Sequence, residues 1–171
     1  MIEELKATLP NFPEEILEEW LMPYAKSEGW PPFGNDGFPF GPRWPYLLGK
    51  KPLSYWVGLG WSEERVHVEP DSLTPRCQDS IAQIMSAAVM GERNLYSESI
   101  PDLVPRFKGI LAYVEQNKEL PKPPALIRVA DGLKVVDGSH RMAVYFAMRI
   151  FSRESGRADL DIPPQRFWMA E

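Results

Sequence analysis

One short run of residues combines backbone and side-chain groups that can hold a phosphate: Asp137-Gly138-Ser139-His140-Arg141. The run separates an apolar stretch from a helical pattern, so we expect a helix to begin there. Free N–H groups and the positive dipole end of a helix attract anions. Glycine lets the backbone approach closely, and serine, histidine and arginine add donors, the histidine gaining charge near neutral pH. The run predicts a phosphate site at Gly138, Ser139, His140 and Arg141.

The residues on either side of this run predict the elements that position it. Ala125 to Val129 has the pattern of a strand, Asp131-Gly132 is typical of a tight turn, and Leu133 to Val136 suits the returning strand. After the run, Met142, Tyr145, Phe146 and Ile150 share one helical face. A β-hairpin is therefore predicted to lead through a glycine turn into an amphipathic helix.

Two earlier amphipathic helices are predicted. The first begins with Thr74 as its cap and Pro75 in its first turn, and it ends near Gly91. The second carries apolar residues at helical spacing from Leu103 to Val114. Between them, residues 94–100 are expected to form a polar loop.

Two further strands complete the predicted sheet. Arg65 to Val68 is a short strand candidate, and Ile162 to Met169 is a candidate for a closing strand. Pro163 and Pro164 predict that this last strand lies at a sheet edge, because proline cannot donate to a strand ladder. The fold class expected is α/β (α+β), with a small mixed sheet and flanking helices.

Residues 1–62 have a different composition from the remainder of the chain, with 9 of the 18 prolines and 12 of the 20 aromatic residues. A helix capped by Asn11 and ended by Pro23 is expected first. Residues 30–61 show no sustained period and predict an irregular, aromatic-rich cap. We therefore divide the chain into an aromatic, Pro/Gly-rich N-terminal cap over 1–62 and an α/β domain over 63–171, packed together.

Charge and cysteine content limit the classes of function. The net charge is −5, and residues 1–62 carry five basic and eight acidic side chains, so no overall attraction to nucleic acid or an anionic membrane is expected. A single cysteine, Cys77, falls on a buried helical stripe and is interpreted as structural. No apolar run is long enough to span a membrane, and no leader segment is recognised, so a cytoplasmic location is expected.

The string VVDGSHRMAVYFA, preceded by PPALIRV, resembles the ParB/sulfiredoxin superfamily. Members carry a glycine-bearing His-Arg or Arg-Arg signature between a strand and a helix. The resemblance is specific over about residues 123–146 and weaker over 65–117. It implies a small mixed α/β domain that binds a nucleoside triphosphate, ATP or CTP, with the phosphates held by Gly138, Ser139, His140 and Arg141.

Two departures from the family pattern limit what the resemblance implies. Sulfiredoxins place a catalytic cysteine directly before the His-Arg pair, where this chain has Ser139, which argues against sulfinic-acid repair. ParB partition proteins continue into a helix-turn-helix domain, and only 30 residues follow Arg141, which argues against chromosome partition.

Some relatives within this superfamily are kinases, so phosphoryl transfer is one expectation. That chemistry needs basic donors, usually Mg²⁺, and a carboxylate near the acceptor. Asp137 could hold Mg²⁺ and act with His140 in catalysis, and Glu98 or Glu92 is a candidate base. The function expected is a nucleotide-dependent phosphotransferase or nucleotidase, acting on a small-molecule or protein phosphate acceptor, or a nucleotide sensor.

A non-catalytic binding module is the alternative. Aromatic residues alternate with prolines in residues 30–61, as in Arg43-Trp44-Pro45-Tyr46, and such a segment could hold a protein, a peptide or a nucleic-acid strand. A purely structural subunit would bind neither nucleotide nor such partners.

Overall fold

The structure is a computed structural model that describes all residues, Met1–Glu171. The chain divides into two compact units. The first contains Met1–Ser62 together with Ala170–Glu171, and the second contains Glu63–Met169. No helix in either unit combines the length and the apolarity needed to cross a bilayer.

The first unit begins with helices. α1 covers Ile2–Thr8, and a continuous helical run follows, formed by α2 (Glu14–Ile16), a π-helical turn (Leu17–Leu21) and α3 (Met22–Glu28). The prediction that Pro23 ends the helix was wrong. The wide turn, in which Met22 N–H bonds to the Leu17 carbonyl, changes the hydrogen-bond register immediately before the proline, which then occupies the first turn of α3.

Asn11 does not cap this helix, contrary to the prediction, because Pro13 occupies the N-cap position. The Asn11 amide instead donates to the backbone carbonyls of Trp56 and Leu59 at 2.9 and 2.6 Å. These bonds tie the start of the helical run to residues more than 40 positions later in the chain. The side chain therefore acts in tertiary structure rather than in local capping.

Aromatic packing forms the centre of the first unit. Trp20 and Trp56 meet edge to face with ring centroids 5.7 Å apart, and Phe12 meets Trp61 at 5.1 Å. Residues 30–61 are largely irregular, as predicted, apart from the short helices α4 (Trp44–Leu47) and α5 (Leu53–Val57). Burial of large aromatic surfaces replaces regular secondary structure as the main stabilising feature here.

The second unit confirms the α+β class. Its helices are α6 (Pro75–Met90), α7 (Leu95–Ser99), α8 (Leu103–Asn117) and α9 (Ser139–Ser155). α6 starts and ends as predicted. The Thr74 hydroxyl accepts from the Cys77 N–H at the start, and Gly91 adopts a left-handed conformation at the end.

Residues 94–100, predicted as a loop, contain the short helix α7. Asn94 and Ser97 form a reciprocal capping box, in which each side chain accepts the backbone N–H of the other residue. These two hydrogen bonds stabilise the first turn, so five residues form a helix although none of them is buried. Ser97 stands where a capping box usually has glutamate or glutamine, so the sequence pattern does not indicate a helix here.

The sheet of four strands has the order β1-β4-β2-β3. β1 covers Trp61–Val66, β2 Ala125–Val129, β3 Gly132–Asp137 and β4 Gln165–Ala170. β2 and β3 form the predicted antiparallel hairpin, with Val129 opposite Gly132. Helices α6, α8 and α9 pack against one another and bury an apolar core with the sheet.

β4 is an inner strand, so its predicted edge position was wrong. It lies between β1 and β2. Pro163 and Pro164 precede the strand rather than belong to it, and the ladder therefore loses no donor to them. The buried Gln165 amide follows them, donating to the Lys118 and Pro163 carbonyls and accepting the Leu120 N–H.

A buried polar network fixes α9 against the segment that follows β1. The Tyr145 hydroxyl accepts the Val68 N–H at 2.9 Å and a hydrogen bond from Arg149 at 3.1 Å. Arg149 also donates to the Val68 carbonyl at 3.1 Å and pairs with Glu69 at 2.8 Å. Since Tyr145 is fully buried, these bonds hold α9, the helix that begins with Ser139, in one position.

Candidate functional site

The candidate site lies where β3 turns into α9. Gly138 is the N-cap residue and has a left-handed backbone, with φ 91° and ψ 27°. A Cβ atom added at this position would lie 3.0 Å from both Arg141 Nε and Pro124 Cβ. Both the conformation and the close approach therefore require glycine here.

The first turn of α9 has no side-chain cap. Its first bond along the helix runs from Met142 N–H to the Gly138 carbonyl at 2.9 Å. The amides of Ser139, His140 and Arg141 precede this bond and are the donors that an α-helix leaves for an external acceptor. The structure thus places a helix start where the sequence predicted one, with no side-chain acceptor for these amides.

Arg141 is turned back toward the strand. Its guanidinium contacts the Asp137 carboxylate, also donates to the Pro123 carbonyl at 3.3 Å, and its side chain is 13% exposed. In this arrangement Arg141 stabilises the glycine turn and contributes positive charge behind it. For Arg141 to donate two hydrogen bonds directly to a phosphate, its guanidinium would have to move away from the Asp137 carboxylate.

His140 has a buried Nε2 atom with no hydrogen-bond partner. Burial, followed by the positive charge of Arg106 and then of Arg141, lowers the pKa of His140 to about 4, although Asp102 opposes this shift. The sequence predicted that this side chain gains charge near neutral pH. In the folded protein the imidazole is instead neutral there, because its surroundings disfavour the cation.

Arg106 of α8 and Asp102, the N-cap residue of that helix, lie near His140, and neither is among the residues that the sequence pointed to. Arg106 and Asp102 pair with each other at 2.8 Å, and both influence the charge of the imidazole. The hydrogen bond from Arg106 lowers the pKa of Asp102. Their spacing of four residues indicates an ion pair along a helix. It does not indicate that Arg106 lies near His140, which is 34 positions later in the chain.

Glu98 lies on α7, and its exposed carboxylate is 3.4 Å from Arg93. Glu92, the other candidate base, is exposed beyond the end of α6. The structure therefore brings together Asp137, Gly138, Ser139, His140 and Arg141, which are consecutive in the chain, and adds Arg106 to them. Glu98 instead contacts Arg93, and neither of these two residues belongs to the first turn of α9.

The residues present do not form a metal site of their own. No group of three or more His, Cys, Asp or Glu side chains is arranged to hold an ion. Asp137, the predicted Mg²⁺ ligand, has one carboxylate oxygen against Arg141. A single carboxylate with a guanidinium at its side does not fit a site that binds Mg²⁺ through protein groups alone.

Comparison with known proteins gives no further indication of function: no family model, curated protein or solved structure matches this chain.

Proposed function

We propose that the start of α9 binds the terminal phosphate of a nucleoside triphosphate, ATP or CTP. The observation that carries this proposal is the uncapped first turn, where three consecutive amides follow the left-handed Gly138 and no side chain accepts from them. An anion at this point would complete the hydrogen bonding that the helix leaves open.

The side chains around the turn support an anionic ligand. The Ser139 hydroxyl is one further donor at the first helical position. Arg106 is half exposed and bound only to Asp102, so its guanidinium is free to turn to a second partner. The unpartnered Nε2 of His140, in the tautomer that carries a proton there, is also a donor. Asp137 and Arg141 then serve the site by fixing the turn.

The resemblance to the ParB/sulfiredoxin superfamily supports the same proposal, because its signature is expected where a strand leads into a helix and the run spans the end of β3 and the start of α9. Phosphoryl transfer stays a prediction, with Asp137, His140 and Glu98 as the catalytic candidates. Any Mg²⁺ would have to be coordinated chiefly by the nucleotide phosphates, since the chain supplies no ligand cluster.

Thermal unfolding in the presence of ATP, ADP, CTP or GTP, each with and without Mg²⁺, tests the binding site. A ligand at 100 times its Kd stabilises the folded state by about 2.7 kcal/mol. For a chain of this length that corresponds to a rise in Tm of roughly 5 to 10 °C. A rise with one nucleoside triphosphate supports the proposal, and the absence of any rise contradicts it.

The variant Ser139→Asp tests whether the nucleotide binds at the start of α9. A carboxylate at the first helical position is favourable for the helix by about 0.3–1 kcal/mol, so the free protein should remain folded. The same charge repels a phosphate, and the nucleotide-dependent rise in Tm should disappear. Arg141→Ala is a less informative variant, because it would also leave Asp137 without its partner.

Ser54→Asp is the matched control. Ser54 is an exposed residue in the first turn of α5, so this variant makes the same substitution near the start of a helix that contains no candidate site residue. It should retain the full nucleotide response. Equal responses in both aspartate variants would place the nucleotide elsewhere on the protein.

A further inference from the structure

Three of the 12 aromatic side chains in residues 1–62 are exposed. Phe38, Phe40 and Tyr46 have relative exposures of 47%, 59% and 74%. The neighbouring Trp44 and Trp56 are almost completely buried. The first unit thus has an aromatic core, and three further rings lie outside it with their faces available to a partner.

Phe38 and Phe40 lie on the same side of the backbone. Pro39 between them is buried and forms an antiparallel bridge with Phe33. Alternate residues of an extended segment point to the same face, so the two rings face outward together at a separation of about 7 Å. Backbone bonds from Gly34 to the Phe38 carbonyl and from Phe40 to the Pro32 carbonyl, at 3.0 and 2.9 Å, hold the segment in place.

Two more backbone hydrogen bonds join the segment that contains the lysines to the segments that contain these rings. The Leu53 N–H donates to the carbonyl of Gly37, the residue before Phe38, at 2.8 Å. The Lys50 N–H donates to the carbonyl of Pro45, the residue before Tyr46, at 2.7 Å. We call these five residues, Phe38, Phe40, Tyr46, Lys50 and Lys51, the aromatic–lysine surface.

The charge of this part of the chain is positive, although the chain as a whole is acidic. Residues 37–62 contain Arg43, Lys50 and Lys51 and no aspartate or glutamate, whereas all eight acidic residues of the first 62 precede Gly37. Two carboxylates do come close: Glu28 lies 3.5 Å from Arg43, and Asp36 accepts the Phe38 N–H. Lys50 and Lys51 have no carboxylate partner, and Lys51 lies over the Tyr55 ring at 5.2 Å.

We propose that the aromatic–lysine surface binds single-stranded nucleic acid. Bases would stack on Phe38, Phe40 and Tyr46, and Lys50 and Lys51 would contact the phosphates. Duplex DNA is a poorer fit, because its binding depends on many phosphate contacts and its bases are not free to stack on side chains. This surface shares no residue with the proposed nucleotide site, so either proposal can hold without the other.

Fluorescence anisotropy of labelled oligothymidine and oligouridine with the full chain at low salt tests this proposal. Each of the variants Phe40→Ala and Tyr46→Ala should weaken binding about 5-fold or more, because a lost base–aromatic stack has an effect of that size. Lys50→Gln combined with Lys51→Gln should lower the slope of log K against log salt by about 1.4. All the changed side chains are exposed, so the Tm should be unaffected.

Phe151→Ala is the matched control, since Phe151 is an aromatic residue of the second unit with a relative exposure of 58%. It should bind oligonucleotides like the unchanged protein. The proposal is overturned if no oligonucleotide binds, or if Phe40→Ala and Tyr46→Ala bind as tightly as Phe151→Ala. Binding to phosphatidylserine vesicles without binding to oligonucleotides would also overturn it and assign the surface to a membrane.

Discussion

Replacing Gly138 with alanine separates two demands that the turn before α9 makes on this residue. The first demand is conformational, because a side chain is disfavoured at φ 91°. The second is spatial, because the new Cβ would lie 3.0 Å from Arg141 Nε and from Pro124 Cβ. Gly156, at the other end of α9, makes only the first demand, since its φ is 66° and no atom lies within 4 Å of the added Cβ.

The two substitutions should therefore differ in free energy of unfolding. A left-handed conformation costs a residue with a side chain about 1–2 kcal/mol, and this applies to both positions. Crowding of the kind expected at Gly138 costs about 1–3 kcal/mol more. We expect Gly138→Ala to destabilise the protein by about 2–5 kcal/mol and Gly156→Ala by about 1–2 kcal/mol.

Urea denaturation followed by circular dichroism measures both values with the same baseline. The m-value should stay constant in both variants, because neither changes the surface exposed on unfolding. If Gly138→Ala is no more destabilising than Gly156→Ala, the close packing of Arg141 over the turn is not a constraint on the folded protein. Arg141 would then not stabilise the turn through this close packing.

Three further changes test other parts of the second unit. Tyr145→Phe should cost about 1–3 kcal/mol in urea denaturation, because the buried Val68 N–H loses its acceptor; an unchanged midpoint would contradict this. Gly132→Ala should lower the Tm more than Gly138→Ala, since its Cβ would lie 2.7 Å from the Ser72 carbonyl oxygen, and equal Tm values would argue against that contact. His140 binds a proton at an ordinary pKa of 6.5 when unfolded but at about 4 when folded, so the free energy of unfolding should fall as the pH falls from 6.5 to 4. The urea midpoint at pH 7 and pH 5 measures this fall, which should be smaller in His140→Gln.

The features that the sequence predicted correctly are those encoded by neighbouring residues. Thr74, Pro75 and Gly91 mark the ends of α6 with local capping signals, and the structure places them accordingly. The β2–β3 hairpin is encoded by a short turn between two apolar runs, which is also a local signal, and the structure confirms it. The helix start at Gly138 also follows from local chemistry, because glycine provides the left-handed conformation there.

The features that could not be predicted depend on residues distant in sequence. The inner position of β4 is set by its neighbours β1 and β2, which the prolines before it do not reveal. The neutral state of His140 results from burial and from Arg106, which reaches it from another helix. The sequence therefore indicated the components of the candidate site but not their electrostatic surroundings.

The position of β4 in the sheet has a consequence for the rate at which this protein folds. β4 follows all other elements in the sequence but pairs with β1, so residues 61–66 and 165–170 must meet before the sheet is continuous. Pairings over such sequence distances slow folding, because a long loop must close before any contact compensates for the lost entropy. We therefore expect the β2–β3 hairpin and the helices to form early, and the two pairings of β4 to form last, at the rate-limiting step.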